Sequence, residues 1–76
     1  MSDFTYFLKK LSMYSESIDN DSFTYTDFYE LKEIVNLISF KMFKTQKLTR
    51  LEYKTLIELY EIIMISAKIY MNNKEK

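Results

Sequence analysis

The sequence predicts an all-α protein, a small three-helix bundle in which a helical hairpin packs against an N-terminal helix. The chain is short, at 76 residues, and it lacks glycine and proline, which form most tight hairpin turns. Apolar residues also recur at spacings of three and four through three segments, as in amphipathic helices. We therefore expect one helical domain over residues 1–71 and a frayed polar tail over residues 72–76.

The first helix is predicted over about residues 3–18, with Ser2 or Asp3 as its N-cap. Its apolar stripe consists of Phe4, Phe7, Leu8, Leu11, Tyr14 and Ile18. Residues 19–22 are all Asp, Asn or Ser, whose side chains bond to nearby backbone and favour turns. The helix is expected to end there.

The second helix is predicted over about residues 26–44, beginning near Thr24 or Thr26. Two capping pairs fit its start, Thr24 with Asp27 and Asp27 with Glu30. The main apolar stripe is Phe28, Leu31, Ile34, Val35, Ile38 and Met42. The opposite side, where polar residues are expected, carries Tyr29, Phe40 and Phe43.

The third helix is predicted over about residues 49–71, and its start has the clearest local signal in the chain. Thr49 followed by Glu52 forms a capping box, and Leu48 is placed to pack on Tyr53 as a hydrophobic staple. On a helical wheel its apolar residues cover roughly 220°, which is wider than two neighbouring helices can bury. This excess predicts a homodimer through Ile57, Tyr60, Met64, Ala67 and Met71. The alternative is that the third helix is the central element of a monomeric bundle.

The composition argues against catalysis and against metal or cofactor binding. The chain has no Cys and no His, so the common nucleophile–base pairs cannot form and the usual zinc ligands are missing. The acidic pairs Glu30–Glu33 and Glu58–Glu61 each fit a solvated helix surface better than an acid–base site. We expect a protein that is not an enzyme and that carries no cofactor and no metal.

The charges are segregated although the net charge is zero. Six acidic residues and one lysine give residues 16–33 a charge of −5, while five basic residues and one glutamate give residues 41–54 a charge of +4. Aromatic side chains lie among and near the basic residues, and this combination predicts a partner-binding surface. The residues of the predicted surface are Tyr29, Phe40, Phe43, Lys41, Lys44, Lys47 and Arg50.

These features favour a non-enzymatic protein-interaction module, a small regulator or inhibitor of a larger macromolecule. Composition and helical pattern are typical of accessory proteins of phages and mobile elements, including inhibitors of host defence. The alternative is a small dimeric DNA-binding transcriptional regulator that uses residues 41–54, although the chain has a single arginine. No signal peptide begins the sequence and charged residues interrupt its most apolar stretch, so we expect a cytoplasmic protein, of the source cell or an infected host, without a membrane span.

Overall fold

The structure, a computed structural model, describes residues 2–74, which contain three α-helices and no strand. Helix α1 spans Asp3–Asp19, α2 spans Tyr25–Phe40 and α3 spans Arg50–Lys74, with a π-helical turn at Lys41–Thr45 between the last two. The helices form an elongated bundle that measures 42 × 18 × 18 Å. The predicted all-α fold is confirmed, and α3 packs against both other helices.

Helix α1 begins and ends with local hydrogen bonds. The Ser2 hydroxyl accepts the amide of Thr5 at 3.2 Å, so Ser2 is the N-cap. At the other end the amide of Ser22 bonds to the carbonyl of Ser17 at 2.9 Å, and that of Asp21 to the carbonyl of Ile18 at 3.2 Å. This is the Schellman pattern, which requires a left-handed residue after the helix. Asp21, with φ of 59°, takes the position that glycine usually fills.

Helix α2 uses one of the two predicted capping pairs. The Thr24 hydroxyl accepts the Asp27 amide at 3.2 Å, and the Asp27 carboxylate accepts the Thr24 amide at 3.1 Å. The regular α-helix stops at Phe40, and the last predicted turn, to about residue 44, is a π-helical turn over Lys41–Thr45. There the Lys41 carbonyl accepts the amide of Gln46, five residues on, and the Thr45 hydroxyl at 2.8 Å. Gln46 is left-handed, with φ of 54°.

Helix α3 starts where the capping box places it and runs further than predicted. The Thr49 hydroxyl accepts the Glu52 amide at 3.1 Å, and the Glu52 carboxylate accepts the Thr49 amide at 3.0 Å. The helix continues to Lys74, three residues beyond the predicted end at Met71. Lys74 donates to the Tyr70 hydroxyl at 3.2 Å and lies 5.3 Å from its ring centre, which holds the last turn. Residues 75 and 76 of the predicted tail lie outside the described residues.

Removing the Thr49 hydroxyl should destabilise the bundle modestly. Thr49→Ala leaves the Glu52 amide without its side-chain acceptor, and N-cap losses of this kind lower the free energy of unfolding by about 1 kcal/mol. Urea denaturation followed by circular dichroism measures the change. Thr55→Ala is the matched control, because the exposed Thr55 hydroxyl only donates to the Leu51 carbonyl within the helix. An equal loss in both variants would contradict the capping role.

The core contains residues from every helix and from the connections between them. Its buried members are Phe7, Leu11, Tyr14, Phe23, Leu31, Ile34, Ile38, Leu48, Leu56, Ile63, Met64, Ala67 and Met71. Phe23 belongs to no helix, yet it is fully buried. Its ring meets those of Tyr14, Phe28 and Tyr70 edge to face, at centroid distances of 6.4, 6.5 and 5.9 Å. The connection between α1 and α2 therefore closes one end of the core.

Two hydrogen bonds from tyrosines fasten α3 to the rest of the bundle, one near each end. Near its C-terminus the Tyr70 hydroxyl donates to the Asp21 carboxylate at 2.5 Å. Near its N-terminus the hydroxyl of Tyr53 lies 3.3 Å from that of Ser39 on α2 and bonds to it. Both contacts join residues distant in sequence, so they connect α3 to α2 at one end and to the loop after α1 at the other.

Candidate interaction surfaces

The residues predicted for self-association lie in the interior of the single chain. Met64, Ala67 and Met71 are buried, with Met64 only 7% exposed, and Ile57 and Tyr60 pack half-buried against the same core. Burial also raises the pKa of the Tyr60 hydroxyl, and nearby Glu33 adds to the effect. Within the single chain, α1 and α2 thus cover the side of α3 that the wheel assigned to a second copy.

The exposed apolar surface of α3 lies on its other side. Ile62, Ile65 and Ile69 are 63%, 60% and 58% exposed, and we call these three residues the isoleucine stripe. Their spacing of three and four places them on one face of the helix. Ile65 was not among the predicted interface residues, although its spacing from Ile62 and Ile69 was the available signal.

The connection between α2 and α3 forms a second surface, which we call the aromatic–basic end. It consists of Phe40, Phe43, Lys44, Lys47, Arg50 and Leu51, all exposed. Phe43 is 71% exposed, and its ring contacts only the edge of Tyr53 among the described aromatics, at 6.0 Å. Lys41, predicted as part of this surface, is half-buried. Five of the seven predicted partner-binding residues therefore lie exposed along one short stretch of the chain.

Part of the aromatic–basic end lies in the π-helical turn at Lys41–Thr45. Such turns are rare and occur often at functional sites, because the extra residue changes where the following side chains point. Here the turn contains Phe43 and Lys44, and the left-handed Gln46 then reverses the chain toward α3. The sequence carries no signal for a π-helical turn, so the exposure of Phe43 was predicted but the turn that contains it was not.

Tyr29, the remaining predicted partner residue, is exposed but stands apart from the aromatic–basic end. Eleven residues separate it from Phe40, which corresponds to about 16 Å along the helix axis. The Lys32 ammonium lies 5.9 Å from its ring centre. Tyr29 instead lines a shallow groove between α1 and α2, so the structure divides the predicted partner surface into two.

The groove between α1 and α2 has a volume of about 340 Å³. It is lined by Tyr6, Lys10, Tyr14, Tyr29, Glu30, Glu33, Ile34 and Leu37. The Tyr14 hydroxyl donates to the Glu30 carboxylate at 3.0 Å. Burial, strengthened by this hydrogen bond, raises the pKa of the Tyr14 hydroxyl above its usual range. This hydrogen bond joins α1 to α2.

Further features of the described chain bear on chemistry and membranes. Residues 2–74 contain no cluster of three or more Asp and Glu side chains that could hold a metal ion. Among the helices of that range, none is long and apolar enough to cross a bilayer. The surfaces that remain as candidates are the isoleucine stripe, the aromatic–basic end and the groove.

Comparison of the chain with known protein-family models, curated proteins and solved structures finds no match in any of the three.

Proposed function

We propose that the protein is a non-enzymatic interaction module that binds a target protein through the aromatic–basic end. The observation that carries the proposal is the exposure of three large apolar side chains within twelve residues of the chain: Phe40, Phe43 and Leu51 are 54%, 71% and 74% exposed. Clustered exposed apolar side chains are uncommon on monomeric domains and mark interaction surfaces. Aromatic residues are also the side chains most often found at the centre of binding sites.

The charges around these aromatics indicate what the target presents. Lys44, Lys47 and Arg50 lie exposed within a few residues of Phe43. A target surface with an apolar pocket for a phenyl ring and an acidic rim fits this arrangement, because complementary charges speed association and exclude wrong partners. Binding of this kind suits a small regulator or inhibitor that masks a surface of a larger macromolecule, and the cytoplasm is its proposed place of action.

DNA binding is the second candidate, and it is supported by the same basic segment. Arg50 and Lys54 are exposed in the first turns of α3, where a recognition helix would meet a groove. Against it, the exposed face of α3 continues as the isoleucine stripe, which offers bases no hydrogen-bonding side chain. Protein binding explains the exposed aromatics as well as the charges, so we favour it.

Phe43→Ser is expected to reduce recovery of the target at least tenfold while the chain stays folded. Phe43 is exposed and its loss removes one edge contact with Tyr53, whereas central aromatics often contribute about 2 kcal/mol or more to binding. The measurement is quantitative mass spectrometry of proteins captured by the tagged chain from its source cell. Circular dichroism checks the fold.

Tyr29→Ser is the matched control, because Tyr29 is a similarly exposed aromatic that lies on α2, outside the aromatic–basic end. It should leave capture unchanged. Equal loss from both variants, or none from Phe43→Ser, would contradict the assigned surface. A mixed-sequence DNA duplex shifted at low salt and released steeply as salt rises would favour the DNA-binding candidate instead.

A further inference from the structure

The isoleucine stripe has the spacing of a coiled-coil seam. Along this face the spacing between successive residues alternates between four and three. The residues in order are Leu51, Thr55, Glu58, Ile62, Ile65, Ile69 and Asn72. A repeat of this kind lets one helix lie along another over several turns. No helix of the described chain covers the three isoleucines, since each is more than half exposed.

We propose that this face binds a second copy of the chain, with the two α3 helices antiparallel about a two-fold axis. In the register that we infer, Ile62 of each chain lies opposite Ile65 of the second copy. The four side chains then form a continuous apolar centre, and at each end Ile69 lies opposite Glu58 of the second copy, which keeps the two Glu58 carboxylates apart. A two-fold axis requires the same patch on both chains, and the stripe is complementary to itself in this orientation.

Charge selects the antiparallel orientation over the parallel one. In a parallel pair the exposed Glu58 would lie beside Glu58 of the second copy, which is unfavourable next to an apolar seam. In the antiparallel register, Glu61 lies opposite Lys68 of the second copy, and this pair occurs twice by symmetry. Glu61 and Lys68 are both exposed and flank the stripe on the same side, at the positions that pair across coiled coils.

The same charges select the register. In the next register that keeps the isoleucines in contact, Ile65 faces Ile69 of the second copy. This register places Lys68 opposite Lys68 of the second copy. Like charges at this distance repel. Only the first register combines the central isoleucines with two pairs of opposite charge.

The pairing leaves the aromatic–basic end free on both chains. With the axis near the middle of the stripe, the two Arg50 positions lie about 40 Å apart, from the rise of 1.5 Å per residue. The dimer would therefore present two target-binding surfaces at opposite ends. The inference does not depend on the proposed target, because the pairing rests on the isoleucine stripe with Glu61 and Lys68, none of which belongs to the aromatic–basic end.

Sedimentation equilibrium tests the pairing directly. The parent chain should sediment with the mass of two chains at about 100 µM, and Ile65→Lys should raise the dissociation constant about a hundredfold or more, since symmetry counts the substitution twice. Ile65 is exposed, so circular dichroism should stay helical. Ile69→Ser is a milder second variant with the same expected direction. One chain mass for the parent up to 1 mM, or a dimer insensitive to both changes, would overturn the proposal.

A charge exchange tests the orientation. Glu61→Lys and Lys68→Glu should each weaken the dimer about fivefold, because each brings like charges together, and the double variant should recover the parent affinity. A parallel pair does not place these residues opposite each other and would show no such recovery. Lys9→Glu, on the exposed face of α1, controls for the change in net charge and should have no effect.

Discussion

Phe23→Ala is expected to lower the free energy of unfolding by about 3–5 kcal/mol, the cost typical of emptying a buried phenylalanine site. The side chain is fully buried and touches three other rings, two of which, those of Tyr14 and Tyr70, belong to α1 and α3. Its loss would leave a cavity where the first and last helices and the connecting loop meet. A loss of this size is a large part of the stability of a small domain.

Urea denaturation with circular dichroism measures the effect, and Phe43→Ala is the matched control. The two substitutions remove the same atoms, one from the core and one from a side chain that is 71% exposed. We expect Phe43→Ala to cost less than about 1 kcal/mol. If Phe23→Ala were equally mild, the loop would not be packed as the structure has it.

Met64→Lys is expected to unfold the chain, whereas Ile65→Lys, one residue further along, should leave the monomer folded. Met64 lies 7% exposed in the core, where an ammonium group has no partner and burying it costs several kcal/mol. Ile65 is 60% exposed, so a lysine there reaches water.

Thermal melts of the two variants at several protein concentrations provide the measurement. Met64→Lys should lack a cooperative melt at every concentration, because its defect lies within one chain. Ile65→Lys should melt cooperatively with a midpoint independent of concentration, since it stays monomeric. The opposite pattern, with Met64→Lys folded and Ile65→Lys unfolded, would mean that α3 turns its other face to the core.

The helices could be predicted from sequence because their signals are local. The capping pairs Thr24–Asp27 and Thr49–Glu52 each act within one turn, and both form as the spacing requires. Periodicity also identified the buried stripes of α1 and α2, including Leu11, Leu31 and Ile38. Such features depend on neighbours in the chain and little on the tertiary fold.

Three features could not be read from sequence because they depend on tertiary packing. Phe23 lies in a loop, where no periodicity applies, and its burial follows from the meeting of α1 and α3 beneath it. The π-helical turn at Lys41–Thr45 has no sequence signature, and glycine, the usual marker of a helix end, is absent. The third is which apolar side of α3 faces inward. For this reason the residues predicted for self-association pack within the single chain.

The two tyrosine hydrogen bonds of α3 have a consequence for the uniqueness of the native state. The pairs Ile62–Ile63 and Met64–Ile65 each join an exposed apolar residue to a buried one, so apolar side chains lie on both sides of α3. A rotation of α3 about its axis would therefore still place some apolar side chains against α1 and α2, and hydrophobic burial selects the native rotation less sharply than on a helix with one fully polar side. The Tyr53–Ser39 and Tyr70–Asp21 hydrogen bonds require the native rotation. We expect them to help select a single conformation, so that their loss would show as heterogeneity among native-like states.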